Sequence, residues 1–225
     1  MQFGESLFNG YIKITYYMRI MEILLATQNK GKLKEMEELL KADGVNFIAL
    51  AENTIEEPEE DGDSFEDNAI IKAEFYSKRT EKACISDDSG LVIPKLNGDP
   101  GIFSSRWAGE GKNFNVAMDR VYNNLLQRGV DLKFDEVEAF FYCAMAYKVP
   151  GSRTEVFFGK VEGHLTYPAR GDDGFGYDPI FVPKGSIKTF AEMGSVLKNK
   201  DNHRVRAAIR IKSHIRRCNY ATISV

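Results

Sequence analysis

The sequence predicts an α/β fold, and three observations carry that expectation. Short apolar runs alternate with helical apolar spacing from Met21 to Leu91. Two segments rich in β-formers, Val137 to Val149 and Thr154 to His164, flank Pro150-Gly151 and read as a long hairpin. The 225 residues suffice for one large domain or for two lobes sharing a core.

Met21 to Ala26 is a short apolar run with polar flanks, as expected of a buried strand. A loop from Thr27 to Lys32 leads into a helix ending near Lys41, with Leu33, Met36, Leu39 and Leu40 inward and Lys34 and Glu38 wet. Lys30 and Lys32 stand at its N-terminus, where the helix dipole disfavours cations. Two readings stand: a solvated lysine cluster, or a site where lysines and backbone N–H groups meet phosphate. The spacing is not that of a P-loop. Val45 to Leu50 predicts a second strand. The run from Glu52 to Asp67 is strongly acidic around Pro58 and Gly62, a solvated loop from which one carboxylate could complete a metal site.

Ser64 is placed to cap a second helix, with Ala69, Ala73 and Tyr76 on its inner stripe. Asn68 and Lys72 share a neighbouring face that is either surface or cleft. Cys84 to Leu91 then reads Cys-Ile-Ser-Asp-Asp-Ser-Gly-Leu. A strand ending in Asp87 and Asp88 would put acid at a sheet rim, with Gly90 turning the chain and Leu91 to Pro94 as a hairpin partner. Adjacent strand residues point to opposite faces, so one acid can face a cleft while the other braces the loop. Such a rim binds a hard cation such as Mg2+, whereas Asp-Asp-Ser-Gly is also ordinary turn chemistry.

A third helix is expected from Asn113 to Arg128, with Val116, Val121, Leu125 and Leu126 mostly inward. Gly174-Phe175-Gly176-Tyr177 interleaves glycine with aromatics, which suits either a flat ligand under a ring or a turn with core aromatics. A short helix begins at Phe190. Lys198 to Arg217 carries eight Lys and Arg against Asp201 alone: a solvated basic helix, or one whose His203-Arg204 start faces the cleft. The net charge of −3 argues against a general nucleic-acid binder. Three cysteines without CxxC spacing suit a reducing cytoplasm. No apolar run approaches a membrane span. Residues 1 to 20 read as an extension with Met18 or Met21 as alternative starts, or as an edge strand built on Tyr11 to Tyr17; residues 21 to 225 read as one domain.

Five segments taken in order resemble the inosine/xanthosine triphosphate pyrophosphatases: Ala26 to Lys32, Ser64 to Ala69, Ser86 to Leu91, Pro100 to Arg106 and Gly174 to Pro179. The resemblance covers about Met21 to Ala208. It implies an elongated two-lobed fold with a long central mixed β-sheet and a cleft between the lobes. It implies Mg2+-dependent hydrolysis of ITP, dITP or XTP to the monophosphate and pyrophosphate, as a homodimer. Matched position by position, it implies that Asp88 is general base and metal ligand and that Glu60 is its metal partner. Thr27, Gln28, Asn29, Lys30, Gly31 and Lys32 become triphosphate contacts, with Ser89 a further substrate contact. Phe175, Gly176, Tyr177 and Asp178 become the base-pocket wall, and Lys198, His203 and Arg204 the residues that read the base. Asn202 stands where the family has Ser, and Ser213 to Val225 is unlike the family's ending. A pyrophosphatase for modified pyrimidines, or a non-catalytic nucleotide or nucleic-acid binder, is the alternative.

Overall fold

A computed structural model describes residues 21–41, 45–50 and 56–221. The expectations for residues 1 to 20 lie outside them. β1 (Met21–Ala26), α1 (Lys30–Leu40) and β2 (Val45–Ala49) open the fold. They are followed by α2 (Phe65–Thr80), β3 (Ala83–Val92) and α3 (Phe114–Gln127). β4 (Glu138–Lys148) and β5 (Glu155–Leu165) form the long hairpin, and β6 (Phe181–Pro183), α4 (Phe190–Lys198) and α5 (His203–Ala221) complete it. The strands make one six-stranded mixed sheet in the order β2-β1-β3-β4-β5-β6. β2, β1 and β3 run parallel, while β4, β5 and β6 are antiparallel to their neighbours. No helix among the described residues is long and apolar enough to cross a membrane.

Alternation along β4 divides the packing. Cys143, Met145 and Tyr147 join Ile23, Leu25, Met36, Leu40 and Ile211 in a core beneath α1 and α5. Phe141 lies further along the same face, in a second core with Leu91, Val121, Leu125, Phe181 and Phe190. Ala144 and Ala146 point the other way, onto Phe65, Ala69 and Ala73 of α2. Two cores on one shared sheet account for the two lobes. Gly159 lets α5 settle on β5: a Cβ there would lie 2.0 Å from the His203 carbonyl oxygen and 2.7 Å from the Ala207 nitrogen. No larger residue fits without pushing the helix start away.

The paired acids are not at the end of a strand. β3 is ten residues long and carries Asp87 and Asp88 at its middle. They reach a rim because a neighbour stops: the β1–β3 ladder ends at Ala26 opposite Ser86, while the β3–β4 ladder continues to Val92. The sheet therefore opens beyond the carboxyl end of β1, where α/β sheets place ligands. Gly90 makes no turn, and Leu91 and Val92 extend β3 instead of forming a hairpin partner. Glycine is needed there for close approach, since a Cβ would sit 2.3 Å from the Ser104 hydroxyl oxygen and 2.5 Å from the Gly101 carbonyl oxygen. On α3, Val116 and Leu126 are outside, and Ala117 and Met118 take the inner face with Val121 and Leu125.

Candidate active site

The helix starts set the first groups. The loop after β1 is shorter than expected, and Lys30, Gly31 and Lys32 already form the first turn of α1. Asn29 caps that turn by accepting from the Gly31 and Lys32 N–H groups at 3.0 and 3.1 Å. Those donors are thus engaged, and the charge α1 offers a ligand here is carried by the Lys32 side chain. Ser64 caps α2 through the Asp67 N–H at 3.1 Å. Asn202 caps α5 by accepting from the Val205 N–H at 2.8 Å, so asparagine performs the task expected of a family serine. α5 continues to Ala221 with Ile215 buried under the sheet, so the described part of the unusual ending is helix.

These elements close on a cavity of about 560 Å³. Its walls include Thr27, Asn29 and Lys32 from the α1 start, Glu60 and Lys72 from the α2 side, and Asp88 and Ser89 from β3. Phe175, Gly176, Tyr177, Asp178, Lys198, His203 and Arg204 close the other end. Gln28, Lys30 and Gly31 are not among the lining residues, although Gly31 supports the site from behind: a Cβ on it would lie 3.2 Å from the Phe175 ring.

Alternation on β3 gives the two acids different surroundings. Asp88 points to the α2 side, where Asn68 donates to it at 3.2 Å and the Ser89 N–H at 3.0 Å. Lys72 lies between Glu60 at 2.8 Å and Asp88 at 3.9 Å. Lys72 therefore faces the cleft, while Asn68 is buried behind it and supports Asp88. The acidic loop is fixed here too, because Arg106 donates to the Glu60 carbonyl and the Gly62 N–H donates to Asn68 at 2.9 Å. Asp87 points to the α1 and α5 side and pairs with Lys32 at 3.1 Å and Arg204 at 3.4 Å.

The neighbouring carboxyls are driven apart. Burial pushes Asp88 up, and Lys72 and Lys32 only partly offset it. Burial acts on Asp87 in the same sense, but Lys32, Arg204 and Lys72 outweigh it and hold Asp87 well below the usual carboxylate range. One acid is thus a fixed anion, and the other is moved toward the range of a general base. Lys72 stays charged: its burial is outweighed by Asp88, Glu60 and Asp87, and its ammonium is pushed up.

At the far end, Lys198 pairs with Asp178 at 2.7 Å and with Glu35 at 3.3 Å. Glu35 also accepts from Arg204, and Arg204 donates to Ser89 at 2.9 Å. The Lys198 ammonium lies 4.6 Å from the centre of the Phe175 ring. Asp178 accepts from the Phe175 N–H at 2.9 Å, which fixes that ring's backbone. Tyr177 is part of the buried wall, its hydroxyl donating to the Ser104 carbonyl at 2.9 Å. Glu35 is the residue sequence reasoning missed. Its place on α1, three residues after Lys32 and next to the inward Met36, gives no sign of the two distant cations that cover it.

His203 stacks on Phe141 at 4.8 Å. Burial first, then Arg204 and Lys198, hold its pKa well below the ordinary 6.5, so it is neutral at pH 7. Its Nδ1, the Arg204 Nε and the Asp87 Oδ1 are buried without a hydrogen-bond partner among the described residues. His203 and Arg204 line the cavity, so their orphaned atoms mark a place where a polar ligand fits. The sign of the pH effect follows. The unfolded chain protonates this histidine near 6.5 and the folded chain does not, so its contribution is intact above that pH and is lost as pH falls below it. Unfolding in urea at pH 7, 6 and 5 should show up to about 1.4 kcal/mol lost per pH unit, and His203→Gln should flatten that part of the profile.

Glu60 and Asp88 both approach the Lys72 ammonium, so these two carboxylates are the ones that would hold a divalent cation beside it. Two carboxylates completed by phosphate oxygens and water are a donor set that Mg2+ commonly uses. No cluster of three or more His, Cys, Asp or Glu side chains suited to a metal occurs among the described residues, so a ligand would have to complete the shell.

Comparison with known proteins finds relatives over most of the chain. The model of the Ham1 family matches residues 23–214. A dITP/XTP pyrophosphatase of Zymomonas mobilis is 43% identical over 185 residues, covering 82% of this chain and 87% of that protein. One from Bacillus subtilis is 44% identical over 187 residues, covering 83% and 92%. The solved structure of a HAM1 protein from Coxiella burnetii superposes with a TM-score of 0.78 at 36% identity, covering 88% of this chain and 99% of that one.

Proposed function

The chain belongs to the Ham1 family, and from that membership and the site's chemistry we propose what it does. It is a nucleoside triphosphate pyrophosphatase, hydrolysing deaminated purine nucleotides (dITP, ITP and XTP) to the monophosphate and pyrophosphate. This removes them from the nucleotide pool. One observation carries the reading: a single cavity has Asp88, Glu60 and Lys72 beside a lysine-bearing helix start, and at its other end His203 with Lys198 and Arg204, whose cations lie over Phe175.

In this reading Thr27, Asn29 and Lys32 hold the triphosphate, with Ser89 as a further contact. Water attacks at the α–β anhydride, the bond between those phosphates breaks, and pyrophosphate departs. Asp88 orients the water and takes its proton, and its raised pKa suits that task. Glu60 and Asp88 would hold Mg2+, which when bound neutralises phosphate charge. Lys32 and Lys72 supply fixed positive charge from the protein itself.

The base end is read by donors. Lys198 has three N–H groups, and Glu35 and Asp178 accept two of them. The third can donate to the 6-oxo oxygen of a deaminated purine. Adenine presents an amino group at that position and would leave the ammonium unpaired. Neutral His203 has one donor to add, and Phe175 offers a face for the purine ring. Cys84, Cys143 and Cys218 form no disulfide among the described residues, which suits a cytoplasmic setting, and the homodimer is carried over from the family resemblance. The test is pyrophosphate release across dITP, XTP and dATP with and without Mg2+. Release from dITP and XTP that depends on Mg2+ is the expected result; release of orthophosphate alone would refute it.

A further inference from the structure

We propose that Asp87 is a positioning residue that ties the phosphate end of the site to its base end. Asp87 is 1% exposed and does not line the cavity, so it acts through other groups. One of its oxygens, Oδ2, serves three partners: Lys32 Nζ at 3.1 Å, Arg204 Nη2 at 3.4 Å and the Ser89 hydroxyl at 3.3 Å. Lys32 comes from the first turn of α1 and Arg204 from the first turn of α5. Asp87 itself stands at the middle of a strand paired with β4 from Cys84 to Val92. The site's two walls are thus referred to one oxygen on the central sheet.

The arrangement continues past Arg204. Lys32, Asp87, Arg204, Glu35, Lys198 and Asp178 follow one another with alternating charge. Each inner member is held between two groups of opposite sign, so displacing one loosens both neighbours. Asp87 is the only acid in the chain that touches Lys32 in this set of ion pairs among the described residues, and it is therefore the link between triphosphate and base. This rests on the pyrophosphatase reading, in which Lys32 meets phosphate and Arg204 belongs to the base end.

Charge and position make opposite forecasts. An acid that only balances charge opposes triphosphate binding, so removing it should lower KM and leave kcat alone. A positioning acid loses register when removed. Asp87→Asn should then lower kcat on dITP about 100-fold, because ångström-scale misplacement costs that much. The preference for dITP over dATP should fall by at least about tenfold, while the Mg2+ half-saturation point stays put. Asp87→Glu keeps the charge and moves the oxygen by one methylene, so it should show the same losses in weaker form, and it serves if Asp87→Asn does not fold. Lower KM with unchanged kcat, unchanged base preference, or a large shift in Mg2+ requirement would each overturn the proposal. A wild-type protein that releases no pyrophosphate from dITP would instead sink the activity it rests on.

Discussion

Asp88→Asn should lower kcat for dITP by about 10³-fold or more while the protein stays folded. In the proposed mechanism the carboxylate does two things at once: it accepts a proton from water, a task worth about 10²- to 10⁴-fold, and shares a cation with Glu60. An amide has nearly the same shape but cannot take the proton, and it is a poor ligand for a hard cation. Folding should survive because Asn68 can still donate to the remaining carbonyl oxygen, as it does to Asp88 at 3.2 Å. Steady-state pyrophosphate release checks the rate, and circular dichroism with a urea midpoint checks the fold. The Mg2+ half-saturation point should rise in the residual activity, which separates this acid from Asp87 next to it. An Asp88→Asn enzyme with more than about a tenth of wild-type kcat would remove the general base from the account.

Lys198→Met should be costly in a different currency. Lys198 is 3% exposed and is the common partner of Asp178 and Glu35. Methionine has comparable volume and no charge, so two buried acids lose one cation together. Breaking a buried pair from one side costs about 3–5 kcal/mol. Glu35 retains Arg204, which places the expected loss toward the lower end. Urea unfolding at pH 7 measures it. Burial already pushes Asp178 up, and Lys198 draws it back; without that cation Asp178 should be protonated at higher pH than in the wild type. Preference for dITP over dATP should drop as well, because the donor aimed at the 6-oxo group is gone. Unchanged stability with unchanged preference would mean that Lys198 is neither structural nor a reader of the base.

Much of the fold was legible because periodicity reports burial directly. The apolar run of β1, the i, i+3, i+4 stripe of α1 and the two β-rich arms around Pro150-Gly151 each appear where their patterns place them. β3 was harder. Asp-Asp-Ser-Gly has turn chemistry by composition, and only the register with β4 reveals that the strand runs straight through it. Tertiary pairing overrode local propensity there, as it does most often at functional sites. The site divided in the same manner. Residues on recognisable loops and caps, such as Asn29, Lys32 and His203, could be nominated from their own neighbourhoods. Glu35 could not, because an acid on an amphipathic helix looks solvated until Lys198 and Arg204, far along the chain, are seen to cover it. Lys72 looked like surface for the same reason, until the loop carrying Glu60 folded over it.

The most direct test of the whole account is the wild-type ratio of kcat/KM for dITP to that for dATP, measured as pyrophosphate release at saturating Mg2+. A site that donates to a 6-oxo group and leaves an amino group unpaired should favour dITP by at least about 10²-fold. A ratio near one would show that Lys198, His203 and Arg204 do not read the base.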